Sequence, residues 1–254
     1  MAFGLLIAIC RRIVCRMDGI PGAKIINGMG LIGTPIHELG HALMCIVFGH
    51  KIKEIKLYRP NANDGALGYV SHTYNPRNLY QQIGNFFIGI APIICGSGVL
   101  WLLMFLLVPD IYEKVFLELQ MITLLSNDFT DSSVYLGYID LLFGVIGSIF
   151  DFANADDGLW WIFIVLALLI SSHMELSLPD IKSGLLGFFY LAGILLVVDA
   201  VLFLISAPLL ETVTDAIASV SLVMAGFLAV SGIFSVLFVV FMFLIQRVVK
   251  MIRR

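Results

Sequence analysis

Long apolar segments separated by short polar stretches dominate the hydrophobic pattern of the chain. The first long helix is predicted from about residue 24 to residue 49, and about 26 residues span roughly 39 Å, enough to cross a bilayer. Further spans are predicted at about residues 79–109, 159–170, 177–205 and 216–245. The pattern predicts an all-α polytopic membrane protein with about five or six transmembrane helices.

After the first predicted helix, the spacing of hydrophobic residues changes to that of a strand. Residues 51–58 largely alternate polar and apolar side chains, and residues 67–74 are rich in residues that favour strands. Asn61, Asn63 and Gly65 between them are typical of a turn. The sequence therefore predicts a small β-hairpin within residues 50–75.

Two segments leave the number of spans open. Residues 1–22 begin with an apolar stretch that three arginines follow, which predicts a retained interfacial helix or, alternatively, an extra span. Residues 110–157 carry nine carboxylates against the single cation Lys114, and we expect an acidic extracytoplasmic segment. Residues 134–150 within it are apolar apart from Asp140, so a position inside the bilayer stays open as well.

Composition agrees with a membrane location. Hydrophobic residues make up 60% of the chain and charged residues 13%, against about 25% in soluble proteins. We expect one membrane-embedded unit over residues 1–254 in contact with the lipid bilayer. The basic C-terminal end places the C-terminus and the hairpin on the cytoplasmic side. A net charge of −3, without a basic patch interleaved with aromatics, argues against a nucleic-acid partner. Nothing in the sequence indicates an oligomeric state.

The cysteines show no metal-binding or disulfide spacing. They are scattered through or beside apolar segments, at Cys10, Cys15, Cys45 and Cys95. This distribution favours buried reduced thiols.

The pentad His37-Glu38-Leu39-Gly40-His41 lies within the first predicted span. Positions i and i+4 of a helix are about 40° apart on one face, so both imidazoles can reach one metal ion. Glu38 beside them can accept a proton from water without binding the metal. Ionisable groups inside a span usually mark function. The pentad predicts a zinc-hydrolase site with one Zn²⁺ per chain.

A third protein ligand must come from elsewhere in the chain. The candidates are Asp180, His173, Glu175, His72, His50 and Asp199. Asp180 stands at the start of a predicted span, where capping of that helix by Ser177 and Asp180 is the alternative role. Asp180 reaches the pentad only if the preceding loop enters the protein. His173 is the alternative third ligand, or a group that orients Asp180.

The residues around the pentad resemble the site-2 protease group of intramembrane zinc metalloproteases. The resemblance rests on residues 34–42 and 48–55 and on Gly68-Tyr69-Val70, and less closely on Ala91-Pro92 and on Leu178-Pro179-Asp180. It implies a span carrying the pentad, a membrane-associated hairpin and a proline-containing span, with Asp180 as third zinc ligand. This chain has Ala91 where the group has glycine, and it lacks a glycine directly after Asp180.

The leading hypothesis is a zinc-dependent intramembrane endopeptidase that cuts a membrane-protein substrate, with His37, His41 and Asp180 as metal ligands and Glu38 as catalytic base. Asn85 or Asn78 is a candidate to bind the oxyanion. One alternative is a non-catalytic metal-binding membrane protein, a transporter or a scaffold. Another is a membrane-embedded metalloprotease that cuts at the surface.

Overall fold

The structure is a computed structural model of the chain, and it describes residues 22–60, 66–124 and 132–252. The described residues are mostly helical, and they contain a small antiparallel sheet of two strands. The prediction of a helical protein with a hairpin is confirmed at this level. The predicted interfacial helix or extra span of residues 1–22 and the turn at residues 61–65 lie outside the described residues, apart from Gly22.

Helices and strands follow one another in the predicted order. The helices are α1 (Gly22–Val47), α2 (Leu79–Leu107), α3 (Pro109–Leu124), α4 (Ser132–Ile149), α5 (Gly158–Ser171), α6 (Leu178–Ile205) and α7 (Ala207–Ile252). The strands are β1 (Lys51–Lys56) and β2 (Tyr69–Thr73), and a short 3-10 turn covers Phe152–Asn154. The pentad therefore lies in the second half of α1, directly before the hairpin.

Among the described residues, three helices are long and apolar enough to cross a membrane: α1 over Gly30–Val47, α2 and α6. Helix α5 has 14 residues, which span about 21 Å against the roughly 30 Å of a bilayer core. Helix α7 is a single helix of 46 residues whose apolar part is Leu228–Leu244. The predicted count of about five or six spans is not confirmed, and the cytoplasmic placement of the C-terminus and hairpin stays a prediction.

Helix α6, which is long and apolar enough to cross a membrane, has two different faces. Phe189, Leu196 and Leu204 have exposed fractions of 68%, 70% and 83%. The buried residues of the helix are Gly184 and Gly187. Large apolar side chains that face outward suit a lipid environment, whereas small residues let a neighbouring helix approach closely. The glycine face of α6 is therefore the one turned toward the protein.

The two strands pair antiparallel, with Lys51 opposite Thr73 and Lys56 opposite Tyr69. Side chains of a strand alternate between its two faces, and His72 is partly buried between exposed neighbours. The strands are shorter than the predicted segments 51–58 and 67–74, but the predicted hairpin is confirmed.

The described residues group into two compact units, each built from separate stretches of the chain. One unit contains the residues up to Val99, Leu166–Ala192 and those from Phe234 onward, so it holds the pentad and the hairpin. The other contains Leu100–Val165 and Gly193–Ile233. All residues of the acidic segment that the structure describes fall in the second unit, while the candidate site lies entirely in the first.

Candidate metal centre

The polar side chains of the pentad lie on the protected face of α1, whereas Leu39 is exposed. Glu38 and His41 are each only 6% exposed. Gly40 lies between them, and a Cβ atom at this position would come within 3.1 Å of the Ala91 carbonyl oxygen on α2. Since close-packed helices cannot absorb an added side chain without moving, glycine at position 40 lets α2 approach the histidines.

Backbone carbonyls fix both imidazoles of the pentad in one tautomer. His37 Nδ1–H donates to the His173 carbonyl and His41 Nδ1–H donates to the Ile88 carbonyl, each at 2.8 Å. Because a carbonyl only accepts, Nε2 is the acceptor atom of each neutral ring. These two Nε2 atoms lie 3.2 Å apart. Histidines that bind metals commonly have this arrangement, in which the opposite ring nitrogen donates to a carbonyl.

A proline makes the acceptor for His41 available. Pro92 lies inside α2, four residues after Ile88. Proline has no N–H group, so the helical hydrogen bond that would reach the Ile88 carbonyl is missing. His41 Nδ1–H donates to that carbonyl instead. Pro92 thus orients a histidine of the pentad through the carbonyl that it leaves without a helical partner.

The carboxylate of Asp180 divides its two oxygens between helix capping and the histidines. Oδ2 accepts from the Ser177 N–H and hydroxyl, while the Asp180 N–H donates to Ser177 Oγ, which forms a capping box at the first turn of α6. Oδ1 lies 3.5 Å from His41 Nε2. The capping role and the metal-ligand role of Asp180 are therefore compatible.

Backbone contacts between α2 and α6 hold Asp180 at this place. A Cβ atom on Gly89 would lie 2.6 Å from the Asp180 carbonyl oxygen. A Cβ atom on Gly187 would lie 2.3 Å from the backbone nitrogen of Phe86. Only glycine fits at these two positions, and the helices meet there almost without intervening side chains.

The segment between α5 and α6 runs through the protein interior. Ser172, His173, Met174 and Leu176 are all buried. Irregular backbone at membrane depth is stable where protein surrounds it. This burial meets the condition that the loop before Asp180 enters the protein.

His173 contributes to the site through its backbone. Its carbonyl accepts the hydrogen bond from His37, while its side-chain Nδ1 lies 2.8 Å from Ser172 Oγ. The structure thus places Asp180, rather than the His173 side chain, in one group with the two histidines of the pentad.

The other residues considered from the sequence take different positions. Glu175 lines a cavity beside the pentad. Asp199 is exposed, about five turns further along α6. Asn78 caps α2, since its Oδ1 accepts from the Tyr80 N–H at 3.0 Å. Asn85 is buried within α2, and it is not among the described residues that line the two cavities at the pentad.

Two cavities with shared lining residues border the pentad. They measure about 320 Å³ and about 250 Å³, and both are lined by His37, Glu38 and Gly68. A Cβ atom on Gly68 would lie 2.7 Å from Glu38 Cγ. The residue just before β2 must therefore be small for Glu38 to keep its position in the cavities.

His50 and His72, also considered as third ligands, lie next to each other at a different place. Their Nδ1 atoms lie 3.1 Å apart, and Cys45 lies beside them. Burial lowers the pKa of His50, although its hydrogen bond to the Gln81 carbonyl acts in the opposite direction. Burial also lowers the pKa of His72, and the neighbouring His50 lowers it further. Both imidazoles are therefore favoured in the neutral form that binds metals.

The first cluster, as we call it here, consists of His37, His41 and Asp180. Its ligand atoms form a donor set that suits a zinc ion. Two imidazole nitrogens and one carboxylate oxygen make three protein ligands, as in catalytic zinc sites, and these ligand atoms lie within 4.8 Å of one another. Glu38 borders the same cavities as a nearby proton acceptor. The arrangement is suited to metal-assisted hydrolysis.

A comparison of the chain with models of protein families finds no match, and neither the curated proteins nor the solved structures compared with it give one.

Proposed function

We propose that the protein is a zinc-dependent endopeptidase that hydrolyses a peptide bond in or near a transmembrane segment of a membrane-protein substrate. The observation that carries this proposal is the first cluster itself, in which two Nε2 atoms 3.2 Å apart meet the Asp180 carboxylate beside the buried Glu38. Helices of spanning length provide the membrane setting.

His37, His41 and Asp180 would hold the ion. Zinc bound there supplies a Lewis acid that polarises the scissile carbonyl and acidifies water. The Glu38 carboxylate takes the proton of the attacking water and returns it to the leaving amine nitrogen. The carbonyls of His173 and Ile88 keep both histidines in the required tautomer through these steps.

A transmembrane helix hides its peptide carbonyls in hydrogen bonds, so the substrate must unwind before Glu38 can act on it. The larger cavity is bordered by Tyr69 and Val70 of β2 as well as by the first cluster. A strand beside the cavity offers backbone N–H and C=O groups along its edge to an extended peptide. We propose that the hairpin holds the unwound segment of the substrate.

The test compares the full-length wild type with Glu38→Gln, which keeps the size of the side chain but cannot accept a proton. Both proteins, loaded with zinc in liposomes, are given single-span peptides with a central helix-breaking Asn-Gly pair and, separately, unstructured casein. Glu113→Gln on α3 is the matched control, because Glu113 is exposed and lies outside both cavities and outside the hairpin.

We expect Glu38→Gln to lose at least about a hundredfold in cleavage rate, as befits loss of general base catalysis, with its zinc content unchanged. Fragment masses should place the cut within the span. Cleavage by Glu38→Gln at the wild-type rate would refute the mechanism. Casein cleavage alone would indicate a surface-cutting protease, and a zinc-loaded wild type that cleaves nothing would indicate the non-catalytic metal-binding protein.

A further inference from the structure

The C-terminal end of α1 folds back on itself. Gly49 adopts the left-handed conformation with φ 69°. Its N–H donates to the Ile46 carbonyl at 3.1 Å, and the His50 N–H donates to the Cys45 carbonyl at 2.8 Å. This pair of hydrogen bonds is the Schellman motif, which brings the residue after the glycine back over the last helical turn. Local backbone structure therefore places His50 beside Cys45.

The ring of His50 is fixed by three further contacts. Its Nε2–H donates to the Gln81 carbonyl at 2.9 Å. The ring of Tyr74 stacks on it with centroids 5.0 Å apart and an interplanar angle of 19°. A Cβ atom on Gly84 would lie 3.2 Å from the same Nε2, so glycine leaves space for this hydrogen bond. The remaining nitrogen, Nδ1, is directed at Nδ1 of His72 on β2.

We propose that Cys45, His50 and His72, here called the second cluster, form a second metal site, for a borderline-soft divalent cation such as Zn²⁺. One ligand atom from each residue lies within 4.8 Å of the others. A thiolate and two imidazoles are a donor set that zinc accepts. The carbonyl of Gln81 orients His50 in the same way that carbonyls orient the histidines of the first cluster.

Charge and protons balance when the cation binds. The Cys45 thiol releases its proton to solvent and becomes the thiolate ligand. His50 carries its proton on Nε2, so His72 supplies the proton of the hydrogen bond between the Nδ1 atoms. His72 moves that proton to its own Nε2, which leaves both Nδ1 atoms as acceptors for the ion.

The second cluster joins the end of α1 to β2 directly, and to α2 through the Gln81 carbonyl. We infer a structural ion that holds the hairpin against α1 and leaves a fourth position for water. This proposal is independent of the proposed peptidase activity. Cys45 is buried and forms no disulfide, as predicted, and the proposal adds a ligand role to it.

The test uses Co²⁺ as the probe on the full chain, because only a thiolate ligand gives a sulfur-to-cobalt charge-transfer band. The first cluster contains no sulfur, so the band reports on the second cluster alone. We expect two Co²⁺ per wild-type chain together with the band. His37→Ala should keep the band and lose one ion, whereas Cys45→Ser should lose the band and one ion. A variant with Cys10, Cys15 and Cys95 changed to Ser should keep both.

X-ray absorption of the zinc-loaded protein gives a check that does not require Cys45→Ser to fold. We expect a sulfur neighbour of zinc at about 2.3 Å in the wild type and in the variant that retains Cys45 as its only cysteine. His72→Asn should lower the affinity of the second cluster for zinc at least tenfold. Absence of sulfur scattering and of the charge-transfer band in the wild type, or a band that persists in Cys45→Ser, would overturn the second site. Either result leaves the peptidase proposal standing.

Discussion

The first and second clusters both use residues of α1 and its end, but they are assembled in opposite ways. In the first cluster, His37 depends on a carbonyl 136 residues away in the sequence. In the second, the two histidines are 22 residues apart, and a helix-terminating turn places one of them. Remote packing therefore builds one site, whereas local backbone structure builds the other.

The two clusters also differ in their ligand atoms and in the groups around them. The first cluster has a carboxylate ligand, borders two cavities and has Glu38 next to it. The second has a thiol and a buried His50, while His72 is partly buried and borders the larger of the same cavities. Both clusters offer three protein ligands and leave a fourth position to water, so the difference lies in Glu38, a proton acceptor next to the first cluster, and in the thiol of the second. Similar imidazole pairs therefore suit different chemistry according to the groups beside them.

Replacement of Asp180, the ligand most distant in sequence, should produce the largest difference in zinc affinity between the two clusters. We expect Asp180→Asn to lower the zinc affinity of the first cluster by more than about a hundredfold. Substitution of a residue that only orients a metal ligand typically lowers the affinity by about 10–100-fold, so a larger loss indicates a direct ligand. The second cluster should keep its ion. Zinc titration monitored by isothermal calorimetry measures both affinities.

The matched control for that change is His173→Ala, which removes the side chain but keeps the carbonyl that accepts from His37. We expect its zinc affinity to stay within about tenfold of the wild type. If His173→Ala loses the ion and Asp180→Asn keeps it, the assignment of the third ligand is wrong.

An intermediate effect is expected from Pro92→Ala. The restored N–H competes with His41 for the Ile88 carbonyl, so zinc affinity at the first cluster should fall about 10–100-fold. A proline is unfavourable inside a helix by about 3 kcal/mol, so the metal-free variant should unfold at the same or a higher temperature than the wild type. Affinity loss without stability loss distinguishes an orienting role from simple misfolding.

Pro109→Ala serves as the control for proline removal, because Pro109 begins α3, where the missing N–H is not needed. We expect unchanged zinc binding in that variant. A Pro92→Ala protein with wild-type affinity would show that the Ile88 carbonyl does not orient His41.

The smallest effect should come from Gly49→Ala at the local turn. A side chain at φ 69° costs about 1–2 kcal/mol, so the second ion should bind roughly 5–30-fold more weakly. The first cluster should not change. Gly49→Asn should be milder, since asparagine tolerates this conformation better. Equal loss at both clusters, measured by cobalt titration, would contradict the separation between them.

Local features of the site could be predicted from the sequence. The pentad lies on a helix, a hairpin follows it, and Ser177 begins α6 with Asp180 in its first turn, all as the residues indicate. Each depends on neighbours within a few positions, where periodicity, turn residues and capping preferences act. Helix α6 also ends at the predicted residue, Ile205.

Contacts between remote segments could not be predicted in this way. Nothing near His37 indicates that the His173 carbonyl will reach it, because that contact depends on glycines that let helices meet. Two signals were nevertheless present. A proline inside a helix leaves the carbonyl four residues earlier without its helical partner, as with Pro92, and a glycine between Cys45 and His50 permits the turn that joins them.

The buried segment before α6 also dictates an order of assembly during synthesis. Once Gln81 has been made, the chain contains every residue of the second cluster and the carbonyl that orients His50. The first cluster lacks its carboxylate until Asp180 has been made and its loop has packed inside. A nascent chain therefore contains all residues of the second cluster about a hundred residues before it contains all residues of the first.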